Sequence, residues 1–467
     1  MLRPQQQWQP LRRNVTSLLS HSRPSLPSIT TSRPLVTLAI ETSCDDTAVA
    51  ILEDTNDADH KSPDANRSRS CSRNTTTLHF NERISSDSRE FKGIKPSVAT
   101  RGHNESLAKL IEKAIPHLPR HAPKPDFVCA TRGPGINPNL SIGLSTAKGL
   151  AVAWGVPLVG VHHMQAHALT PRLVRALGMP MATSTSASTT SPPTTPSSGP
   201  DFPFLSLLVS GGHTQLVHSA SLTEHRIVAT TGDTAIGNIL DQTARVILPP
   251  AVLDASPDVM YGRVLEKYAF PDPEPDYASF FTPASSRAEE MVDAPTGYSW
   301  TLGLPFRQSR RLAYSFSSIY TNVHKIAAAA AEERQGMDDA ERSALARHTM
   351  RAAFQHLVSR LCLALEDVPG LSEVSTLVVA GGVASNRFLM HVLRTTLDAR
   401  GFGHIEILAP PVELCTDNAA MIAWTGMEMY RAGWHSDLSV MTIPRWPLDP
   451  DAGENTGLLG VDGWLKR

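Results

Sequence analysis

No stretch of the 467 residues offers about 18 consecutive apolar residues, so no membrane-spanning helix is expected. Cysteine is scarce: Cys44, Cys71, Cys129, Cys362 and Cys415 are scattered, with no C-x-x-C pair. That argues against a disulfide framework and for a reducing compartment. The chain also lacks G-x-x-x-x-G-K-[ST], which excludes a P-loop ATPase, and its TRGPG stretch lacks the G-x-G-x-x-G spacing of a dinucleotide site. Charge is nearly balanced, with a net of −2. A nucleic-acid binder is therefore not announced by bulk charge, although a local basic face would suffice.

The first 34 residues lack any Asp or Glu. They carry Arg3, Arg12, Arg13, Arg23 and Arg33, frequent serines, and leucines at 11, 18 and 19. Such a segment reads as an organelle transit peptide, without the apolar run of a secretory signal, and predicts mitochondrial import. The whole chain is of ordinary composition, 41% hydrophobic and 19% charged, enough for two or three domains.

Strand patterns recur. LVTLAI (35–40), the polar tip ETSCDD and TAVAIL form one strand–tip–strand unit. FLSLLVS, GGHT and QLV (204–217) form a second. The pattern admits an internal duplication or two independent hairpins. Between them DFVCA (126–130) predicts a strand and residues 140–154 a helix, with Gly155 as its C-cap and Pro157 beyond. VPLVGV then delivers His162 and His163 to the end of the next strand, where open α/β sheets place their ligand groups. A strand, a Gly-Gly turn and a helix follow at 376–395, and a polar turn leads into a helix over 413–430. Three segments read as inserted surface loops without a core: 54–77, the Ser/Thr/Pro-rich 182–200, and the polar 271–299.

His163 and His167, in VHHMQAH, are four apart, which on a helix places both imidazoles on one face. Such a pair can hold a transition metal, although most are structural. The glutamate that follows the first histidine in H-E-x-x-H proteases is absent, and Met164 stands there. His162 points away from the shared face. A reactive metal needs a third ligand, and Asp417, in the CTDN turn, is the best placed by pattern. Spacing alone does not separate it from Asp233 or Asp241. The SGGHT tip (210–214) can offer backbone N–H groups to a phosphate. Cys44 and Ser43 sit at the other tip without an evident His–Asp arrangement to activate either.

In order, ETSCDDTAVAI, TRGPG, GVHHMQAH, LLVSGGHTQLV, VVAGGVASNRFL and CTDNAAMIAW resemble the tRNA N6-adenosine threonylcarbamoyltransferase family, formerly called glycoproteases, over roughly residues 35 to 430. With the transit-like leader, the resemblance is to its mitochondrial branch. It implies a two-lobed α/β fold of the actin-like ATPase type, with a duplicated core and a cleft between lobes. The first lobe would comprise 35–165 plus about 418–447, and the second 166–417. It implies transfer of a threonylcarbamoyl group from threonylcarbamoyl-AMP, made by a separate synthase, to N6 of adenosine 37 in tRNAs reading ANN codons. It implies one divalent metal, iron or zinc, on His163, His167 and Asp417. It places the intermediate at Leu208, Val209, Ser210, Gly211, Gly212, Asp241, Gly262 and Asn386. It also implies a homodimer in the mitochondrial matrix.

The chain departs from the family at DTAIGNILDQ (233–242), where Thr234, Asn238 and Gln242 differ, and at YSFSSIYT (314–321), where Tyr320 replaces a common lysine. Gly262 lies in VMYGRVLE, a divergent stretch. The competing readings are a metallopeptidase, an actin-fold kinase or ATPase, and a non-enzymatic scaffold.

Overall fold

The computed structural model describes residues 33–55, 76–184, 200–334, 336–449 and 457–467. The transit-like leader and most of the 54–77 and 182–200 insertions lie outside the described residues.

The first half opens with β1 (Leu35–Glu41), β2 (Asp46–Asp54) and β3 (Thr76–Ser85), followed by α1 (Pro96–Ala114), β4 (Phe127–Gly133), α2 (Asn137–Trp154), β5 (Leu158–His162) and α3 (His163–Ala176). The second half runs β6 (Ala182–Ser184), β7 (Phe204–Val209), β8 (Thr214–Ser219) and β9 (His225–Thr230). A helical stretch follows: α4 (Ile236–Ile247), α5 (Pro250–Asp254), α6 (Tyr261–Ala269), α7 (Pro273–Phe280), α8 (Arg287–Glu290), α9 (Ser317–Arg334) and α10 (Asp339–Asp367). The chain closes with β10 (Thr376–Ala380), α11 (Arg387–Ala399), β11 (Glu406–Ala409), α12 (Val412–Cys415), α13 (Ala419–Arg431), β12 (Trp434–Ser436) and β13 (Trp464–Lys466).

Two sheets result, ordered β13-β12-β5-β4-β1-β2-β3 and β6-β11-β10-β7-β8-β9. Each contains the same five-strand unit. In the first, β1 pairs antiparallel with β2 and parallel with β4, which pairs parallel with β5. In the second, β7 pairs antiparallel with β8 and parallel with β10, which pairs parallel with β11. Two copies of one topology decide the alternative that the sequence left open: the recurring hairpins are an internal duplication. The arrangement is the two-lobed α/β fold of the actin-like ATPase type.

Local chemistry accounts for the elements. β1 and β4 are nearly wholly buried, and their residues are mostly apolar, as expected where both faces of a sheet are covered. α2 has Pro138 in its first turn and ends on Gly155 in the left-handed region at φ 61°. Asp338 caps α10 by accepting the Glu341 N–H.

The halves are joined through their closing helices. α3 packs on β7, β10 and α13, while α13 packs on β1, β2 and β5. A central core containing Val159, Leu169, Leu208, Val378 and Met421 fills the space around these two helices. This is why α3 is buried from His163 to Pro171, and why its histidines can face groups of the other half.

One expectation is overturned. The segment 271–299 is not a coreless loop: α7 and α8 form there, and Tyr277 is buried against Phe270 and Phe388. The low hydropathy of the stretch hid aromatic residues that anchor it on the second core. The first sheet also runs past residue 447, because β13 pairs with β12. No described helix is long and apolar enough to cross a membrane.

Candidate metal and substrate site

His162 ends β5, and its ring starts the next helix. Nδ1 accepts the Met164 and Gln165 N–H groups, and Nε2 donates to the Trp446 carbonyl at 2.9 Å. Burial drives its pKa down to about 3, so it stays neutral as this hydrogen-bond pattern requires. His163 and His167 follow on one face of α3, with ring centroids 4.7 Å apart.

Asp417 reaches them from the turn between α12 and α13. Asn418 shapes that turn: its Oδ1 accepts the Met421 N–H and its Nδ2 donates to the Thr416 carbonyl. Asp417 Oδ1 lies 3.1 Å from His167 Nε2 and 3.5 Å from His163 Nε2. All three donor atoms lie within 4.8 Å of one another. Ligands bound to one tetrahedral ion at ~2.0–2.2 Å sit roughly 3.3–3.6 Å apart, so both Asp417 distances are close to those around a small divalent ion. The alternatives do not converge there. Asp233 accepts from Ser315 Oγ and from the Phe316 and Ser317 N–H groups, tying β9's end to the start of α9. Asp241 accepts the Gly262 N–H at 2.7 Å.

Behind the pair stands Glu41, a residue that the sequence reading passed over. It ends β1, is fully buried, and accepts the Ser43 N–H at 2.5 Å and the Thr131 hydroxyl. Its Oε2 lies 3.3 Å from His163 Nδ1. A carboxylate on Nδ1 holds the proton there and leaves Nε2 free as a ligand. Burial alone would push the His163 pKa down, but Asp417 and then Glu41 outweigh it and hold it up at about 9. Burial likewise opposes ionisation of Asp417, yet His163 and His167 hold its carboxyl well below the usual range. A field that favours an imidazolium also favours a metal cation in its place. The signal for Glu41 was present: a lone carboxylate closing a mostly apolar buried strand needs a partner.

Both hairpin tips border this point. Ser43 Oγ is 3.3 Å from His163 Nδ1, but that nitrogen also faces Glu41, so it is not a free base for the serine. The Cys44 thiol is pushed well above its ordinary pKa by burial and by Asp45, which makes it inert. Asp46 is raised to about 6, by burial first. From the second half, His213 feels both ligand histidines; burial, then His163 and His167, lowers it to about 4. Arg83 of β3 donates to the Thr416 hydroxyl and, at 3.5 Å, to the Asp417 carbonyl.

Leu208 and Val209 are buried at the end of β7 and offer only backbone. Ser210, Gly211 and Gly212 form the open tip, where Ser210 Oγ accepts the Gly212 and His213 N–H groups. α4 abuts this tip so closely that a Cβ on Gly237 would meet the Ser210 carbonyl oxygen at 2.7 Å. The Gly-Gly turn after β10 abuts it too: Gly381 has φ 99°, and a Cβ there would meet the Val209 carbonyl oxygen at 2.4 Å. Asn386, just beyond, caps α11 by accepting the Leu389 N–H. The Ser210–Gly212 tip, the start of α4 and the Gly381 turn thus meet at one sheet end. Burial raises Asp241 to about 7, against the Gly262 hydrogen bond. Two of the departures in α4 answer each other, since Gln242 Nε2 donates to Asn238 Oδ1 at 3.1 Å.

A family model described as tRNA N6-adenosine threonylcarbamoyltransferase matches residues 78–192 and 192–424. The mitochondrial tRNA N6-adenosine threonylcarbamoyltransferase of Schizosaccharomyces pombe is 33% identical over 93% of this chain and 90% of its own length. The tRNA N6-adenosine threonylcarbamoyltransferase of Chelativorans sp. is 34% identical over 89% and 95%. Among solved structures, HypF of T. kodakarensis is similar at 14% identity and a TM-score of 0.40, covering 85% of this chain and 48% of that one. By the family model and by the extent of both sequence matches, the chain belongs to the tRNA N6-adenosine threonylcarbamoyltransferase family, a family of transferases that act on tRNA.

Proposed function

We propose that the chain transfers an L-threonylcarbamoyl group from threonylcarbamoyl-AMP to N6 of adenosine 37 in mitochondrial tRNAs that read ANN codons. The observation that carries the reading is the convergence of His163, His167 and Asp417 between the two hairpin tips, in a chain of this family.

His163, His167 and Asp417 would hold one divalent ion, iron or zinc. Such an ion supplies Lewis acidity, polarising a carbonyl or carbamoyl oxygen. Glu41 orients His163 for that task. The Ser210–Gly212 tip, kept open by Gly237 and Gly381, supports binding of the adenylate phosphate, with Asp241, Gly262 and Asn386 towards its ribose and base. In the transfer, the N6–carbon bond forms and the carbon–oxygen bond of the mixed anhydride breaks. AMP leaves with the electron pair, and the N6 proton passes to solvent. The anhydride is already activated, so no protein nucleophile is required. This agrees with an inert Cys44 and a buried Ser43. The N6 amine is a weak nucleophile, so positioning of the two substrates supplies much of the rate.

A peptidase would need a base for water beside the metal. Glu41, the carboxylate closest to His163 Nδ1, lies on the side of the ring away from Asp417. The reading further includes a separate synthase for the adenylate, a homodimer, and import into the mitochondrial matrix by the acid-free leader.

The test supplies the full chain with a threonylcarbamoyl-AMP synthase, threonine, bicarbonate, ATP and mitochondrial tRNA, and measures the modified nucleoside by mass spectrometry. Product is expected from the wild type and not from His163→Ala/His167→Ala. Undiminished product in the double variant would refute the metal role, and none from the wild type would refute the activity.

A further inference from the structure

A transferase that modifies an anticodon loop must hold single-stranded RNA at the mouth of its site. Net charge gives no hint of where. The connection from β3 to α1 does. It leaves beside the ligand turn, where Arg83 bonds Thr416 and the Ser86 N–H donates to the Asp45 carbonyl at 3.0 Å. It then crosses to the second half, where Arg245 of α4 donates to the Lys92 carbonyl at 2.6 Å. Under it lies a cleft of about 460 Å³, lined by Asp87, Arg89, Glu90 and Lys92 on one side and by Leu253, Asp254, Ser256 and Tyr261 on the other. Tyr261 adjoins Gly262, whose N–H binds Asp241.

The surface of this strap has an unusual composition. Residues 89 to 97 are exposed apart from Gly93. Phe91 is 43% exposed and Ile94 45%, and the ammonium of Lys95 sits 3.7 Å from the Phe91 ring centroid. The strap's two acids, Asp87, paired with Arg89, and Glu90, precede Phe91; from Phe91 to Asn104 there is no acidic residue, while Lys92, Lys95 and Arg101 are all exposed. The loop is also held in shape. Buried Ser88 accepts the Phe91 N–H on its carbonyl and the Lys95 N–H on its hydroxyl. Lys92 stands at φ 50°, a left-handed conformation that is strained for a lysine. An exposed ring beside fixed cations is the combination by which proteins hold unpaired nucleotides, through base stacking and phosphate contacts.

We propose that the strap at residues 86–95 docks the RNA substrate: Phe91 stacks on an unpaired base, and Lys92, Lys95 and Arg101 hold the flanking phosphates. This rests on the tRNA reading above and names the surface that serves it.

The experiment measures binding of a fluorescent anticodon stem-loop RNA to the full chain across a salt series. Phe91→Ala is expected to weaken Kd roughly 5- to 160-fold, the range for losing one base stack. Lys92→Gln/Lys95→Gln is expected to lower the slope of log K against log salt by about 1.4, at ~0.7 per phosphate contact. All these side chains are exposed, so the thermal midpoints should match the wild type. Lys92→Gly, which relieves the backbone, provides a variant that keeps the fold while removing one cation, and should show half that loss of slope. Wild-type Kd and slope in the variants would overturn the proposal. A wild type that fails to bind the RNA would instead overturn the tRNA reading itself.

Discussion

Replacing Glu41 by glutamine should cost metal affinity although residue 41 would touch no metal. The carboxylate is fully buried and serves three donors: the Ser43 N–H, the Thr131 hydroxyl and His163 Nδ1. A glutamine of the same shape offers one acceptor oxygen and turns an NH2 group towards the rest. The Thr131 hydroxyl can rotate and accept. His163 Nδ1 can accept only if its proton moves to Nε2, the atom that faces Asp417. A protonated Nε2 is not a ligand. Loss of such an outer carboxylate typically weakens metal affinity ~10- to 100-fold, or about 1.4–2.7 kcal/mol. Glu41→Ala should do worse: it strands three buried donors and costs ~3–5 kcal/mol of stability. The assay is competition for zinc or ferrous iron against a chromogenic chelator, with thermal melts run beside it to separate affinity from folding. A Glu41→Gln protein that binds metal within roughly threefold of the wild type would refute the tautomer argument.

Further outcomes follow from the same geometry. Gly237→Ala forces a Cβ against the Ser210 carbonyl oxygen at 2.7 Å, so it should cost ~1–3 kcal/mol of stability and displace the tip; a wild-type melt with wild-type adenylate affinity would refute this. Asp241 stands at about 7 in the folded chain, above its unfolded value near ~3.9, so the folded state keeps a proton that the unfolded state loses between those values. Its contribution to stability is therefore complete below about pH 4 and declines as pH rises towards 7. Asp241→Asn should lack that decline, and parallel denaturant curves for both proteins at about pH 5 and pH 7 would count against it. Metal at 100 times its Kd should add about 2.7 kcal/mol of stability, and a chelator should lower the melting midpoint of the wild type but not of His163→Ala/His167→Ala.

How far the sequence could be read depended on distance along the chain. His163 and His167 are four residues apart on one helix, so their common face was legible. The third partner was not. Asp417 stands 250 residues from His167; its turn made it the best placed by pattern, but spacing did not separate it from Asp233 or Asp241 until the fold gave Asp233 to the start of α9 and Asp241 to Gly262. The duplication lay between these cases. Two hairpins were visible as patterns, but only strand order established that both belong to copies of one unit. The segment 271–299 was misread because a few aromatic residues, and not mean hydropathy, anchor it.

The sequence by itself determined the local elements: the mostly apolar strands, the hairpin tips, the paired histidines on their helix and the acid-free leader. Their chemistry is set by neighbours within a few residues, through backbone periodicity and side-chain type. Only the tertiary structure decided what each polar group faces. It made His162 a helix cap, turned Glu41 onto His163, and brought Asp417 and His213 to the same point. Two packed halves exchange their closing helices, and only that exchange carries residues hundreds of positions apart to within a few ångströms.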